Sequence, residues 1–155
     1  MNKENTRREF LTAALTVGAA AVIPERVLAQ SAGGTPAGRL TLHAIDTFHG
    51  SPGGGMRIDL NIRVGEKDTY RLVKSFQTNP GGRTDQPLLS GDELVAGRYE
   101  LLLHFDEYFT KRGVALPTPN FLGKVPVRFA IADVNQRYHV PVLFSPWGYS
   151  YYRGS

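Results

Sequence analysis

Apolar and polar positions alternate with a period of two along most of this chain. Met56, Ile58, Leu60, Ile62 and Val64 alternate with Arg57, Asp59, Asn61 and Arg63, which predicts a strand with one buried and one wet face. Tyr99, Leu101, Leu103 and Phe105 repeat the pattern around Glu100, Leu102 and His104. So do Val125, Val127, Phe129 and Ile131, and then Tyr138, Val140, Val142 and Phe144. Leu40 and Leu42 alternate with Thr41 and His43, while residues 70–77 and 148–152 carry weaker strand patterns. Residues 106–112 read as a helix of two turns at most, with Gly113 placed to end it.

The breaks between these stretches carry turn chemistry: Ser51-Pro52-Gly53-Gly54-Gly55, Asn79-Pro80-Gly81-Gly82, Ser90-Gly91-Asp92 and Ser145-Pro146-Trp147-Gly148. Pro126 and Pro141 fall inside strand patterns, and a residue that cannot donate to a ladder points to edge positions or bulges. Seven to eight short strands and one short helix predict an all-β fold, a sandwich of two sheets.

The N-terminus follows different rules. Arg7 and Arg8 precede Phe10-Leu11, and an uncharged run of 14 residues extends over 10–23. That length is short for a membrane span and right for the apolar part of a signal peptide. The paired arginines resemble a twin-arginine export signal, and Val27-Leu28-Ala29 offers small residues for cleavage after Ala29. Residues 1–29 are therefore expected to be a signal peptide, 30–38 a flexible lead-in and 39–155 one domain. The mature protein would be periplasmic and not membrane-bound.

Of the 155 residues, 41 % are hydrophobic and 21 % charged, enough to bury one core. Cysteine is absent, which excludes disulfides and thiolate metal sites, so oligomerisation becomes a natural source of stability. The net charge of +4 owes something to Lys3, Arg7, Arg8 and Arg26 of the leader. No dense basic stripe remains for nucleic acid.

Four histidines are candidates for chemistry: His43, His49, His104 and His139. His43 and His139 lie on strand faces opposite the apolar ones. A histidine so placed is ordinarily a solvated strand residue, and two of them raise the prospect of a shared site. Their spacing suits no zinc set, and no cofactor or metal is expected. Neither a serine nucleophile elbow nor a phosphate-cradling glycine loop is present. Arg83 follows a polar turn and could offer a planar donor fork to a carbonyl or oxyanion. The chain ends on Tyr151-Tyr152-Arg153-Gly154-Ser155, which is either a frayed end or a compact set of recognition groups.

These stretches resemble one family. Residues 138–155, ending in Tyr-Arg-Gly-Ser, look like the C-terminal signature of the 5-hydroxyisourate hydrolases, the transthyretin-like proteins of purine breakdown. Residues 40–47 resemble its N-terminal signature, with Gly50, Ser51 and Pro52 following, and residues 78–83 its middle motif. The resemblance covers 39–155. Ala44 and the glycine-rich loop at 53–55 depart from the usual pattern.

The resemblance implies a transthyretin-like sandwich of eight strands and a homotetramer with its sites in a channel between subunits. The implied activity is hydrolysis of 5-hydroxyisourate to 2-oxo-4-hydroxy-4-carboxy-5-ureidoimidazoline in uric acid degradation. His43, Arg83 and His139 are the implied catalytic residues, with Tyr152, Arg153, Gly154 and Ser155 around the substrate. One histidine, His139 favoured, would take a proton from water, and Arg83 would hold the oxyanion. The competing readings are a transthyretin-type carrier that binds a small molecule without catalysis, and an exported adhesion sandwich.

Overall fold

The computed structural model of the protein describes residues 38–154. The expected signal peptide, most of the lead-in and Ser155 lie outside the described residues.

Among the described residues, nine strands and one α-helix, with a single 3-10 turn at Gly91–Glu93, follow in the order β1 (Arg39–Asp46), β2 (Ser51–Pro52), β3 (Arg57–Val64), β4 (Thr69–Gln77), β5 (Leu89–Ser90), β6 (Gly97–His104), α1 (Phe105–Lys111), β7 (Lys124–Ile131), β8 (Arg137–Phe144) and β9 (Tyr149–Tyr151). They form two sheets, β2-β1-β8-β9 with β5 also on β1, and β4-β3-β6-β7. The two-sheet, all-β expectation holds. The count exceeds eight because β2 and β5 are two residues each, too short to show any period, and both pair with one edge of β1. The helix starts at Phe105, one residue before the expected 106, and Gly113 follows it at φ 69°.

The buried faces are those the alternation marked. Leu40, Leu42 and Ala44 of β1, with Val140, Val142 and Phe144 of β8, face Ile58, Leu60, Leu101, Leu103, Val125 and Val127 of the other sheet. Phe105, Tyr108 and Phe109 close one end of this core. Phe105 and Tyr108 lie 4.9 and 5.0 Å, ring centre to ring centre, from Phe144. Buried Asp46 ties β1 to that end: it accepts the Tyr108 hydroxyl at 2.8 Å and two backbone N–H groups, of Phe48 and His49, at 3.0 Å.

Pro126 lies on β7, an edge strand, as a residue without a ladder donor should. Pro141 corrects the expectation, because β8 is interior, between β1 and β9. Its ring is tolerated there because ladder bonds leave a strand on alternate sides. The bonds Gly154 N–H to His139 O (2.8 Å) and Tyr152 N–H to Pro141 O (3.4 Å) show that His139 and Pro141 turn towards β9. The missing donor therefore spares the parallel β1–β8 ladder and breaks the β9 one. Regular pairing stops at Tyr151, and the chain returns to His139 as a single bridge at Gly154.

Candidate active site

β1 and β8 run parallel in register, with Arg39 opposite Arg137, Thr41 opposite His139, His43 opposite Pro141 and Ile45 opposite Leu143. These odd-numbered residues all point away from the core, since the even-numbered ones fill it. The outer face of this sheet therefore carries successive rows: two arginines, then threonine and histidine, then histidine and proline, then two aliphatic side chains. The bridge and the β9 register add Gly154 to the Thr41–His139 row and Tyr152 to the His43–Pro141 row. Thr41, His43 and His139 are half-buried, and Tyr152 is exposed.

Arg83 reaches this face through a docked loop. The edge of β1 is paired at one end by β5 and at the other by β2, and the loop that carries Arg83 fills the gap between them. Ala44 N–H donates to Gly82 O at 2.8 Å, and Gly53 N–H donates to Ala44 O at 2.9 Å. Gly82 has φ 70°, and a Cβ there would collide with the Ala44 carbonyl, so both conformation and space demand glycine. Asn79 shapes the turn, its Oδ1 accepting from Gly81 N–H at 3.0 Å and Arg83 N–H at 3.2 Å. The result brings Arg83 Nη2 to 3.1 Å from His43 Nδ1.

The hydrogen bonds fix the tautomer of His43 and suit the opposite one for His139. A guanidinium only donates, so neutral His43 accepts at Nδ1 and carries its proton on Nε2. Thr41 Oγ1 lies 2.9 Å from His139 Nδ1 and 3.3 Å from Tyr138 O, so the hydroxyl can accept from the ring while it donates to the carbonyl. In that arrangement His139 holds its proton on Nδ1 and has a free lone pair on Nε2. His43 can then donate a hydrogen bond where His139 can take a proton.

Both rings are held below the ordinary imidazole pKa. Burial lowers His43, the Arg83 charge adds to it, and a hydrogen bond to the Gly81 backbone works the other way. Burial lowers His139 too, followed by Arg83 and then His43. The Arg83 charge bears on both rings and His43 bears on His139, which links the two histidines to one guanidinium.

A cavity of about 540 Å³ opens beside them, lined by Thr41, Arg83 and His139 among others. Gly154 lies against His139, where an added Cβ would sit 2.9 Å from the ring Cδ2. Arg153 turns elsewhere. Its guanidinium lies 4.8 Å from the Tyr138 ring centre and donates to Gln136 Oε1 at 2.6 Å, because Arg153 alternates with Tyr152 and Gly154 and so faces the core side of the sheet. Arg153 thus fastens the terminal segment and does not stand with His43 and Arg83. Ser155 lies outside the described residues.

The other two histidines are built into the frame. His49 Nδ1 lies 2.6 Å from Asp46 Oδ2, and buried His104 sits between Asp59 at 2.8 Å and Glu107 at 3.0 Å. Among the described residues no cluster of histidine and carboxylate could hold a metal. Sequence reasoning missed Thr41. Its signal was present: it shares the wet face of β1 with His43, two residues away.

A family model described as "HIUase/Transthyretin family" matches residues 40–154. The chain is 51 % identical over 118 residues to 5-hydroxyisourate hydrolase 2 of Rhizobium meliloti, covering 76 % of this chain and 97 % of that protein. It is 48 % identical over 120 residues to the 5-hydroxyisourate hydrolase of Pseudomonas aeruginosa, covering 77 % and 94 %. Among solved structures, the Klebsiella pneumoniae 5-hydroxyisourate hydrolase superimposes with TM-score 0.62 at 28 % identity, over 76 % of this chain and 99 % of that one. A crystal structure of (S)-allantoin synthase gives TM-score 0.71 at 40 % identity, over 78 % of this chain and 45 % of that one.

Proposed function

The chain belongs to the HIUase/transthyretin family, and from that premise we propose how its outer sheet face performs the chemistry. The protein is a 5-hydroxyisourate hydrolase acting in urate degradation. The observation that carries the mechanism is the convergence of His43, bonded to Arg83 at 3.1 Å, and His139, bonded to Thr41 at 2.9 Å, on one sheet face.

Water adds to a ring amide carbonyl of 5-hydroxyisourate. His139 takes a proton from that water at Nε2, and Thr41 holds the ring in the tautomer that leaves this atom free. The carbonyl oxygen becomes an oxyanion, which the guanidinium of Arg83 stabilises. A donor of this kind is worth about 3–4 kcal/mol of barrier. When the carbon–nitrogen bond breaks, the leaving nitrogen takes the proton that His139 removed from the water, and neutral His43 holds the reacting groups in line by donating a hydrogen bond from Nε2. The products are the ureidoimidazoline with its new N–H and a carboxylic acid, which ionises by releasing its proton to solvent, so both histidines end neutral as they began. Because burial and Arg83 hold both rings low, they are neutral at pH 7, as this scheme requires.

Freshly generated 5-hydroxyisourate loses its ultraviolet absorbance as its ring opens. Purified protein should accelerate that loss, and H43A, R83A and H139A should each abolish most of the gain. No acceleration by the intact protein would reject the reading, and the transthyretin-type carrier would replace it.

The working unit is a homotetramer and the protein is exported to the periplasm by the twin-arginine route. Support for assembly is the site's position on an outer sheet face, where half-buried Ile45 and Leu143 and exposed Tyr152 continue an apolar surface beside it. Light scattering that returned a fully active monomer would overturn this. Support for export is Arg7-Arg8 with the apolar run after them. Undiminished export of an R7K/R8K precursor would overturn the route.

A further inference from the structure

Arg39 and Arg137 begin β1 and β8 and are direct cross-strand partners on the outer face, one row beyond Thr41 and His139. Like charges directly opposite in a sheet destabilise it. Both side chains are exposed, and among the described residues neither makes an ion pair or side-chain hydrogen bond. Both line the same cavity as Arg83, Thr41 and His139. The one carboxylate on its wall, Asp85, is bonded to Asn79 Nδ2 at 2.9 Å instead. The mouth of the site thus carries three guanidinium groups against one carboxylate, a net positive charge.

We propose that Arg39 and Arg137 recruit the substrate as an anion. This rests on the hydrolase reading. The chemistry suits it: N–H groups flanked by carbonyls make such a ring a weak acid, and its anion is the form that a guanidinium pair selects. Two guanidinium groups at the rim of a concave site draw an anion in and raise its encounter rate, while the bond-breaking steps stay with the histidines and Arg83. The pair differs from Arg83 in doing this at a distance, through the field and not through a fixed contact.

The test is kcat/KM for 5-hydroxyisourate against ionic strength, for the intact protein, R39Q/R137Q and the charge-preserving R39K/R137K. At low salt the Gln variant should lose about tenfold in kcat/KM, with kcat within about twofold of the parent. The gap should close at high salt, where the screening length falls to about 3 Å. The Lys variant should follow the parent, and the Gln variant should melt no lower than the parent, since a repulsive pair has been removed. An unchanged kcat/KM and salt slope in the Gln variant would overturn the proposal. So would a salt-independent loss in kcat, which marks a fixed contact, or a lowered melting temperature, which marks a structural role. An intact protein without hydrolase activity would sink the functional reading itself, whereas an active parent with indifferent variants sinks only the recruiting pair.

Discussion

Thr41 Oγ1 lies 2.9 Å from His139 Nδ1, across the one row of the β1–β8 ladder that puts a hydroxyl opposite an imidazole. With the hydroxyl donating to Tyr138 O at 3.3 Å, as the proposed mechanism has it, a lone pair faces the ring. T41V removes that acceptor without changing the shape of the side chain much. His139 is then free to carry its proton on Nε2, which silences it as a base. We expect kcat to fall by about tenfold or more, since a positioned base contributes on the order of a hundredfold. KM should hold, and T41S should recover most of the rate. Nitrogen chemical shifts of His139 should report the Nδ1–H tautomer in the parent and a mixture in T41V. Equal rates in T41V and the parent would detach Thr41 from the chemistry.

The pH dependence follows from the two lowered histidines. Burial leads in both, with the Arg83 charge next. Activity needs the neutral rings, so the acid limb of kcat/KM should lie below the ordinary imidazole value of about 6.5. Stability obeys the same sign. In the window between the lowered native pKa and 6.5 the unfolded chain binds more protons, so stability rises with pH through it and is lost as pH falls. R83Q removes one cause of the lowering at both rings. Its acid limb should move up towards 6.5 while kcat drops by about a hundredfold or more. An R83Q profile with an unmoved limb would show that burial alone sets the rings.

Gly82 is the hinge of the arrangement. Its carbonyl receives Ala44 N–H at 2.8 Å, and its left-handed φ of 70° and lack of Cβ let the loop lie on β1. G82A meets both a conformational penalty and a collision with the Ala44 carbonyl, so we expect a loss of about 1–3 kcal/mol in a denaturant titration. Arg83 moves with the loop, and a misplacement of about 1 Å costs on the order of a hundredfold in rate. A G82A protein that melted normally and kept its kcat/KM would show that the loop is held by other contacts.

The fold was legible because alternation is a local property. The strands around Ile58, Leu101, Val127 and Val142 each bury every second residue, and each was readable alone. β2 and β5 were not, since two residues have no period and their strand character comes from β1 alone. Phe105 continued the strand rhythm and turned out to begin the helix, where it fills the core end in either geometry. The outward placement of His43 and His139 was also local. Their tautomers were not, because they depend on Arg83, 40 residues from His43, and on Thr41, 98 residues from His139. Arg153 shows the same limit. Only the β8–β9 pairing, which sets Gly154 opposite His139 and so puts Arg153 on the other face, reveals that Arg153 turns to Tyr138.

That alternation divides residues 153 and 154 into parts that can be tested one at a time. Gly154 touches the catalytic ring: its N–H holds His139 O at 2.8 Å, and an added Cβ would stand 2.9 Å from His139 Cδ2 and 3.4 Å from Pro141 Cγ. Arg153 touches only Tyr138 and Gln136. If the terminus were merely a frayed end, G154A and R153A would be equally silent. The structure separates them. G154A should push the His139 ring off its line to Thr41 and lower kcat by on the order of tenfold to a hundredfold, with little change in melting, because the displaced group is half-buried and has room on the cavity side. R153A gives up a cation–π contact and an exposed hydrogen bond, about 1 kcal/mol together. It should lower the melting temperature slightly and cost less rate than G154A. Deleting residues 153–155 should combine both effects. Catalytic efficiency measured beside the thermal midpoint decides the matter: G154A must lose rate out of proportion to stability, and R153A the reverse. A G154A protein turning over at the parent rate would place the terminus outside the site, whatever R153A does.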